Sequence, residues 1–482
     1  MTYFFETYGC QMNIAESAAA EQKLLARGWT RAESAELCDL AVINTCSVRQ
    51  TAENRIFGRL GWYAGLKAVR QKKEGAKDKS LAKAAEAAKT GANPVYVAVM
   101  GCMAERLLKS LKRDYPVVDF VVGTYAKEHF DDIIDEIEKK AGAQKQSAKI
   151  GRDGIVEEDA AYTFSAVSAE DGAFSTFVPI MHGCNNFCTY CIVPYLRGRE
   201  MSRSVEEILK EIDTLGERNV REITLLGQNV NSYRGKMKKD ETGTESEVDF
   251  PTLLDIIARH LEKTNSSIGW VRFDSSHPKD LSDSLIDVIS KNDVLCKHIH
   301  LAVQHGSDRV LKAMNRHYTK SDFLSLVQKI RARIQNVSLT TDVMVGFPGE
   351  TEEDVLELLD LMEKANFSSA FMYYYNVREG TPAASMANQI PLAEKKARLA
   401  RVIAFQQEIS HRALSAHVGE DIRILVEKTT RNDDGEVLGR TSRDERVAFR
   451  AEKSLIGQFA TVHLDSLSGS TFRGTLLSKD TK

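Results

Sequence analysis

Short apolar runs that stop at a small or polar residue, each followed by a segment with helical spacing, recur along most of this chain. Near the N-terminus the runs are Tyr3-Phe-Phe-Glu-Thr-Tyr-Gly-Cys10, Leu40-Ala-Val-Ile-Asn-Thr-Cys46 and Val95-Tyr-Val-Ala-Val-Met-Gly-Cys102. The helix-like segments behind them are Asn13–Arg27, Val48–Leu60 and Ala104–Leu111. This alternation predicts a doubly wound parallel α/β domain over residues 1–145. The pattern resumes at Thr176-Phe-Val-Pro-Ile-Met181 and continues through Glu222–Leu226, Ile268–Asp274, His298–Gln304, Leu339–Val345 and Ala370–Val377. Six such strand–helix units predict a partial (β/α)6 barrel, open on one side, over residues 172–400. A helix-like stretch, Leu392–Ala416, leads out of it. The period then changes. Short strands at Asp421–Glu427, Glu436–Thr441, Arg446–Phe449, Gln458–Asp465 and Thr471–Leu477 are separated by turns such as Asn432-Asp-Asp-Gly435 and Ser468-Gly469. They predict a small β-barrel of the oligonucleotide-binding (OB-like) type over residues 418–480.

Length agrees with this division, because 482 residues suggest about three domains. Hydrophobic residues at 43% and charged residues at 28% fit a water-soluble globular chain. No stretch approaches the ~20 apolar residues of a membrane span, and the first residues lack a signal-peptide pattern, so a cytoplasmic protein is expected. A net charge of −3 gives no general argument for nucleic acid. Residues 418–482 are also balanced, with 11 basic against 11 acidic side chains. Locally, the Lys/Ala-rich stretch from Arg70 to Ala92 carries seven basic against three acidic residues and reads as a solvated helical excursion.

Six of the eight cysteines form two trios. Cys184, Cys188 and Cys191 follow a predicted strand with C-x3-C-x2-C spacing. A structural zinc site, or an ordinary cubane, needs four protein ligands. Three thiolates on one loop leave one iron of a [4Fe–4S] cluster open to a small molecule. The alternative is a zinc knuckle short of one ligand. Cys10, Cys46 and Cys102 recur at the same phase of three successive strand–helix units, so a doubly wound sheet puts all three on one edge. Three thiolates there could hold a second cluster; the alternative is core packing. Cys38 and Cys296 lie outside both trios and read as core thiols. Polar residues after the middle strands, among them Gln228 and the segment Asp342–Glu350, stand where a barrel builds a site. The alternating His298 and His300, and the run Tyr373-Tyr374-Tyr375, read as strand packing.

The cysteine loop His182-Gly-Cys-Asn-Asn-Phe-Cys-Thr-Tyr-Cys191 resembles the radical S-adenosylmethionine (SAM) superfamily. Tyr190 matches the aromatic position that packs near the SAM adenine there. Taken with Tyr8-Gly-Cys-Gln-Met-Asn13, Asn44-Thr-Cys-Ser-Val-Arg49 and Gly101-Cys-Met-Ala104, the chain resembles the methylthiotransferase family almost throughout. Gly227-Gln-Asn-Val-Asn-Ser-Tyr233, Ser275-Ser-His-Pro278, Met314-Asn-Arg316 and Asp342–Thr351 fit as well. Gln-Met-Asn and Ser-Val-Arg after the first two cysteines look like the branch acting on (dimethylallyl)adenosine in tRNA. The sequence departs from the family in the Lys/Ala-rich insertion, in Ala302 where proline is common, and in Ala18 where an acidic residue is usual.

The resemblance implies an N-terminal methylthiotransferase domain, a radical SAM barrel and a C-terminal TRAM domain that binds tRNA. It implies that Cys184, Cys188 and Cys191 hold a [4Fe–4S] cluster that reduces S-adenosyl-L-methionine, with Tyr190 against the cofactor; Gln228 and Asp342, polar residues at strand ends, are expected near it. It implies that Cys10, Cys46 and Cys102 hold an auxiliary [4Fe–4S] cluster that carries the sulfur. The expected substrate is an isopentenylated adenosine in the tRNA anticodon stem-loop, methylthiolated at carbon 2, and a second SAM gives the methyl group. An electron donor of the reduced flavodoxin or ferredoxin type and a monomeric state are expected. Two other readings are methylthiolation of threonylcarbamoyl-adenosine, and a non-catalytic iron–sulfur protein that binds RNA.

Overall fold

The computed structural model describes residues 1–47, 50–71, 81, 94–125, 129–142, 172–238, 245–431 and 435–480. Most of the predicted excursion at 70–92 therefore lies outside the described residues. The chain forms two units. One comprises Met1–Glu170 with Ile192–Arg199, and the other comprises Asp171–Cys191 with Glu200–Lys482.

In the first unit, five parallel strands run β1 (Thr2–Tyr8), β2 (Thr30–Arg31), β3 (Leu40–Thr45), β4 (Tyr96–Gly101) and β5 (Phe120–Val122). Their order across the sheet is β2-β1-β3-β4-β5. Successive side chains on a strand point to opposite faces, so a parallel sheet buried on both sides reads as unbroken apolar runs. Ala41, Ile43, Val97, Val99 and Val121 pack on one side with Ile56, Leu60 and Tyr63 of the helix Gln50–Arg70. Leu40, Val42, Ala98, Met100 and Val122 pack on the other with Ala20 and Leu24 of the helix Gln11–Ala26 and with Ile133, Ile134 and Ile137 of Phe130–Lys140. Leu81, a described residue inside the Lys/Ala-rich stretch, is buried in the first of these cores.

The second unit begins with β6 (Ser175–Pro179) and β7 (Met181–His182), and β7 pairs with β8 (Met201–Ser202). β9 (Glu222–Leu226) is followed by a hairpin that the sequence pattern did not predict, β10 (Arg234–Lys238) with β11 (Glu245–Asp249). Then come β12 (Trp270–Phe273), β13 (His298–His300), β14 (Ser338–Val345) and β15 (Ser369–Tyr374). Two three-stranded parallel sheets result, β12-β9-β6 and β13-β14-β15. Parallel bridges Val271–Leu295 and Ser276–Leu301 join them between β12 and β13. The six strands thus form one partial barrel, with β6 and β15 at its two ends. Ala302, the departure from proline, uses the N–H that a proline would lack to donate to the Ser276 carbonyl at 3.2 Å.

After the helix Leu392–Ser415, the last five strands close into a barrel. They are β16 (Asp421–Thr429), β17 (Glu436–Thr441), β18 (Arg446–Arg450), β19 (Phe459–Ser468) and β20 (Thr471–Lys479), in the order β16-β17-β18-β20-β19. β18 and β20 pair in parallel and the other pairs are antiparallel, a Greek-key closure that leaves no free edge.

This barrel seats on the partial barrel. The fully buried Glu222 carboxylate of β9 accepts from Arg272 Nε and from Arg440 Nη2, each at 2.6 Å. Arg272 also donates to the Thr441 carbonyl at 2.6 Å. Trp270 and Phe459 meet edge to face at 4.9 Å. A Cβ on Gly269 would come within 2.7 Å of the Phe459 ring, so close approach requires glycine there.

Candidate functional site

In the second unit the loop after β7 carries Cys184, Cys188 and Cys191. The first two are buried and the third is half-buried. The loop is shaped by a distant turn that the sequence reading quoted without giving it a role. Asn315 Nδ2 donates to the carbonyls of Asn186 and Phe187 at 3.3 and 3.1 Å. Thr189 N donates to the Met314 carbonyl at 3.1 Å, and its hydroxyl donates to Ala313 at 2.9 Å. These bonds hold Phe187 at φ 46°, in the left-handed region that a bulky residue avoids.

Arg316 then reaches into the loop. Its guanidinium is buried, and Nη1 donates to Cys188 Sγ at 3.4 Å. Burial pushes the Cys184 thiol up to about 11, so it ionises poorly unless a cation is beside it. Among the described residues, no group of three His, Cys, Asp or Glu side chains is set to hold a single metal ion. A cubane asks for something different, since each thiolate binds its own iron and the sulfurs stand apart. Three thiols on one loop with a buried cation beside them fit such a group, because iron would take each sulfur as thiolate.

Tyr190 is half-buried and packs against a cluster of Val310, Met314, Phe347 and Tyr375. Gln228 follows β9, as predicted, and its Oε1 is buried without a hydrogen-bond partner. Asp342 lies inside β14, short of the strand end, and its carboxylate is 3.3 Å from His300 Nε2. His300 also shares Thr340 Oγ1 at 3.1 Å and meets the exposed Phe371 ring edge-on at 5.8 Å. Burial lowers its pKa, but Asp342 and Asp274 outweigh this and leave it raised. Sequence reasoning had treated His300 as packing. Its pairing with Asp342 depends on the strand register, in which His300 faces Thr340, and no local signal announces that.

In the first unit, Cys10, Cys46 and Cys102 all follow strand ends of one sheet, as expected. Cys46 and Cys102 are buried and Cys10 is exposed. A knot of polar side chains holds the three ends together. Asn13 and Asn44 are fully buried. Asn13 Nδ2 donates to Asn44 Oδ1 at 2.8 Å, and Asn44 Nδ2 donates to the Asn13 carbonyl at 2.8 Å. Asn13 Oδ1 accepts from Cys10 Sγ at 3.2 Å. Gly101 closes the third side at φ +94°, where a Cβ would lie 2.5 Å from Asn44 Oδ1. A hydrogen bond with the Cys46 thiol, helped by the Arg197 charge, holds the Cys10 thiol below its ordinary pKa. These contacts bring the trio together, and its thiols fit a cluster by the same chemistry.

Arg197 was missed entirely. It belongs to the helix Val193–Arg197, and its guanidinium donates to Cys102 Sγ at 3.2 Å and to Glu16 Oε1 at 2.8 Å. By contrast, Cys38 and Cys296 behave as expected of core thiols. Both are buried, and burial pushes each up to about 12.

Three family models match parts of the chain. The Radical SAM superfamily matches residues 178–362, Uncharacterized protein family UPF0004 matches residues 2–123, and the TRAM domain matches residues 416–477. The radical SAM assignment implies one [4Fe–4S] cluster and SAM. Among solved structures, the radical SAM methyltransferase TsrM of Kitasatospora setae superposes with a TM-score of 0.55 at 12% identity, covering 80% of this chain and 75% of that one. That likeness supports the fold. No helix of the described residues is long and apolar enough to cross a membrane.

Curated relatives are much closer in sequence. A Treponema denticola protein named tRNA-2-methylthio-N(6)-dimethylallyladenosine synthase is 48% identical over 479 residues, 99% of this chain and 100% of that protein. One of the same name from Treponema pallidum is 47% identical, with 100% of both chains covered. Another from Clostridium botulinum is 40% identical, covering 98% of this chain and 96% of that one. Identity of this order along the whole length, through both cysteine trios and into the terminal barrel, makes the chain a member of the tRNA-2-methylthio-N(6)-dimethylallyladenosine synthase family of radical SAM enzymes.

Proposed function

We propose that this chain methylthiolates carbon 2 of an N6-dimethylallyl-adenosine in the anticodon stem-loop of tRNA, using SAM and two [4Fe–4S] clusters on separate cysteine trios. The observation that carries the second cluster is the convergence of Cys10, Cys46 and Cys102 through the Asn13–Asn44 knot, with no disulfide among them. When bound, the cluster on Cys184, Cys188 and Cys191 together with SAM supplies removal of an inert aromatic hydrogen, and the other cluster supplies sulfur. The protein does the positioning. Arg316 places a fixed positive charge against Cys188 and offsets thiolate charge in a buried setting. Asn315 fixes the loop carbonyls, so the three thiols keep their spacing. Tyr190 offers a ring for the SAM adenine, Gln228 an acceptor without a partner, and Asp342 a carboxylate, one for each polar or planar part of the cofactor. The terminal barrel is the proposed tRNA grip. A reduced flavodoxin or ferredoxin is the proposed electron source, acting on a monomer in the cytoplasm.

Iron content tests the two-site reading. Replacing Cys184, Cys188 and Cys191 with alanine is expected to leave about four irons per chain, the content of one cubane, by colorimetric iron analysis of anaerobically reconstituted protein. Retention of twice that amount, or loss of all of it, contradicts separate sites. A second measurement addresses Tyr190. Stacking of a base on an aromatic ring is worth about 1–3 kcal/mol, so Tyr190→Ala is expected to weaken SAM binding by about five- to 150-fold. Calorimetric titration with SAM reads this directly, and an unchanged Kd removes the ring from the cofactor site.

A further inference from the structure

Within the first unit, Arg197 and Glu16 form a buried ion pair at 2.8 Å, with side chains only 2% and 5% exposed. A buried pair of this kind does not by itself favour stability, because desolvation opposes the attraction. Its position is therefore the informative part. The guanidinium has a fixed fork of N–H donors, and Nε points at Cys102 Sγ, 3.2 Å away. Glu16 takes the Nη1 side, at 2.8 Å, and so aims the fork. Cys102 packs with Ile192 and Leu196, the apolar residues of the same short segment that delivers Arg197. Water is thus kept from the contact, where a charge-assisted hydrogen bond to sulfur is strongest.

The geometry points to Arg197 as a positioning residue that holds the Cys102 sulfur and raises the reduction potential of the cluster on Cys10, Cys46 and Cys102. This rests on the proposal that the trio holds a cluster. Hydrogen bonds to cluster sulfurs and nearby charge set such potentials, because the reduced cluster carries one more negative charge. A donor on the thiolate stabilises that added charge. Glu16 acts through Arg197 and needs no contact with the cluster.

The test uses the full chain carrying Cys184→Ala, Cys188→Ala and Cys191→Ala, so that only one cluster remains to be read. Its midpoint potential is measured by a mediated reductive titration followed by electron paramagnetic resonance. Arg197→Met is expected to keep its iron but shift the one-electron equilibrium about tenfold toward the oxidised form, ~59 mV more negative. Arg197→Lys, which keeps the charge, is expected to recover part of that shift. Should Arg197→Met misfold because Glu16 is left buried and unpaired, the double variant Arg197→Met/Glu16→Gln removes that charge too and is expected to show the same negative shift. An iron-loaded Met or double variant with an unchanged potential overturns the inference. Iron lost with no shift in the remaining cluster also overturns it, since Arg197 would then only hold the fold. Absence of any reducible cluster in the parent triple variant refutes the auxiliary-cluster reading itself.

Discussion

Cys10→Ala is expected to keep cleaving SAM to deoxyadenosine while adding no methylthio group to tRNA, and Cys188→Ala is expected to do neither. The two thiols belong to different units, and Cys188 is braced within its own unit by Arg316 and the Asn315 turn. The loss in each case should be to the detection limit, because a cluster short of a ligand is not tuned down but removed. Anaerobic turnover with dithionite separates the cases, with chromatography for deoxyadenosine and mass spectrometry of digested tRNA. Circular dichroism should first establish that Cys10→Ala is folded, since Cys10 caps the helix Gln11–Ala26 and bonds Asn13. Methylthiolated tRNA from the folded variant would return the first trio to a packing role.

Glu222→Ala is expected to destabilise the second unit by about 3–5 kcal/mol, the usual cost of removing one partner from a buried charge pair. Here the cost should sit at the upper end, because one fully buried carboxylate answers two guanidiniums, Arg272 and Arg440. Removing it leaves the buried Arg272 guanidinium without its carboxylate and beside Arg440, which keeps Glu427 and Asp444. The measurement is denaturant unfolding followed by Trp270 fluorescence, in a chain with Trp29→Phe and Trp62→Phe so that one reporter remains. Glu222→Gln, which keeps hydrogen-bond capacity, should lose less. A change below about 1 kcal/mol for Glu222→Ala would mean that the pair is well solvated after all.

The elements were largely legible in the sequence because they are buried on regular periods. The run at Glu222–Leu226 coincides with β9, and Leu339–Val345 falls one residue short of β14. All five strands of the terminal barrel were located within a few residues. The hairpin β10–β11 escaped, since its residues Arg234–Lys238 and Glu245–Asp249 are mostly charged and give no apolar run. The cysteine trios were legible by spacing and phase. Their supports were not. Arg316 stands 128 residues from Cys188, and Arg197 stands 95 from Cys102, so only folding brings them together. The Asn13–Asn44 knot was hidden for the same reason, although both asparagines lay within motifs already quoted.

On the proposal that the terminal barrel grips tRNA, its seating on the partial barrel has a consequence for how RNA is chosen. A module on a loose tether can grip a nucleic acid at many distances from a reaction centre. This one cannot, because Glu222, Arg272 and Arg440 bolt it down and Trp270 and Phe459 interlock where Gly269 makes room. Any strand it grips is presented at a fixed offset from the barrel lumen. Such an arrangement works as a ruler. An anticodon arm with an inserted or deleted base pair would carry its target base past the lumen or short of it, however well the bases themselves matched.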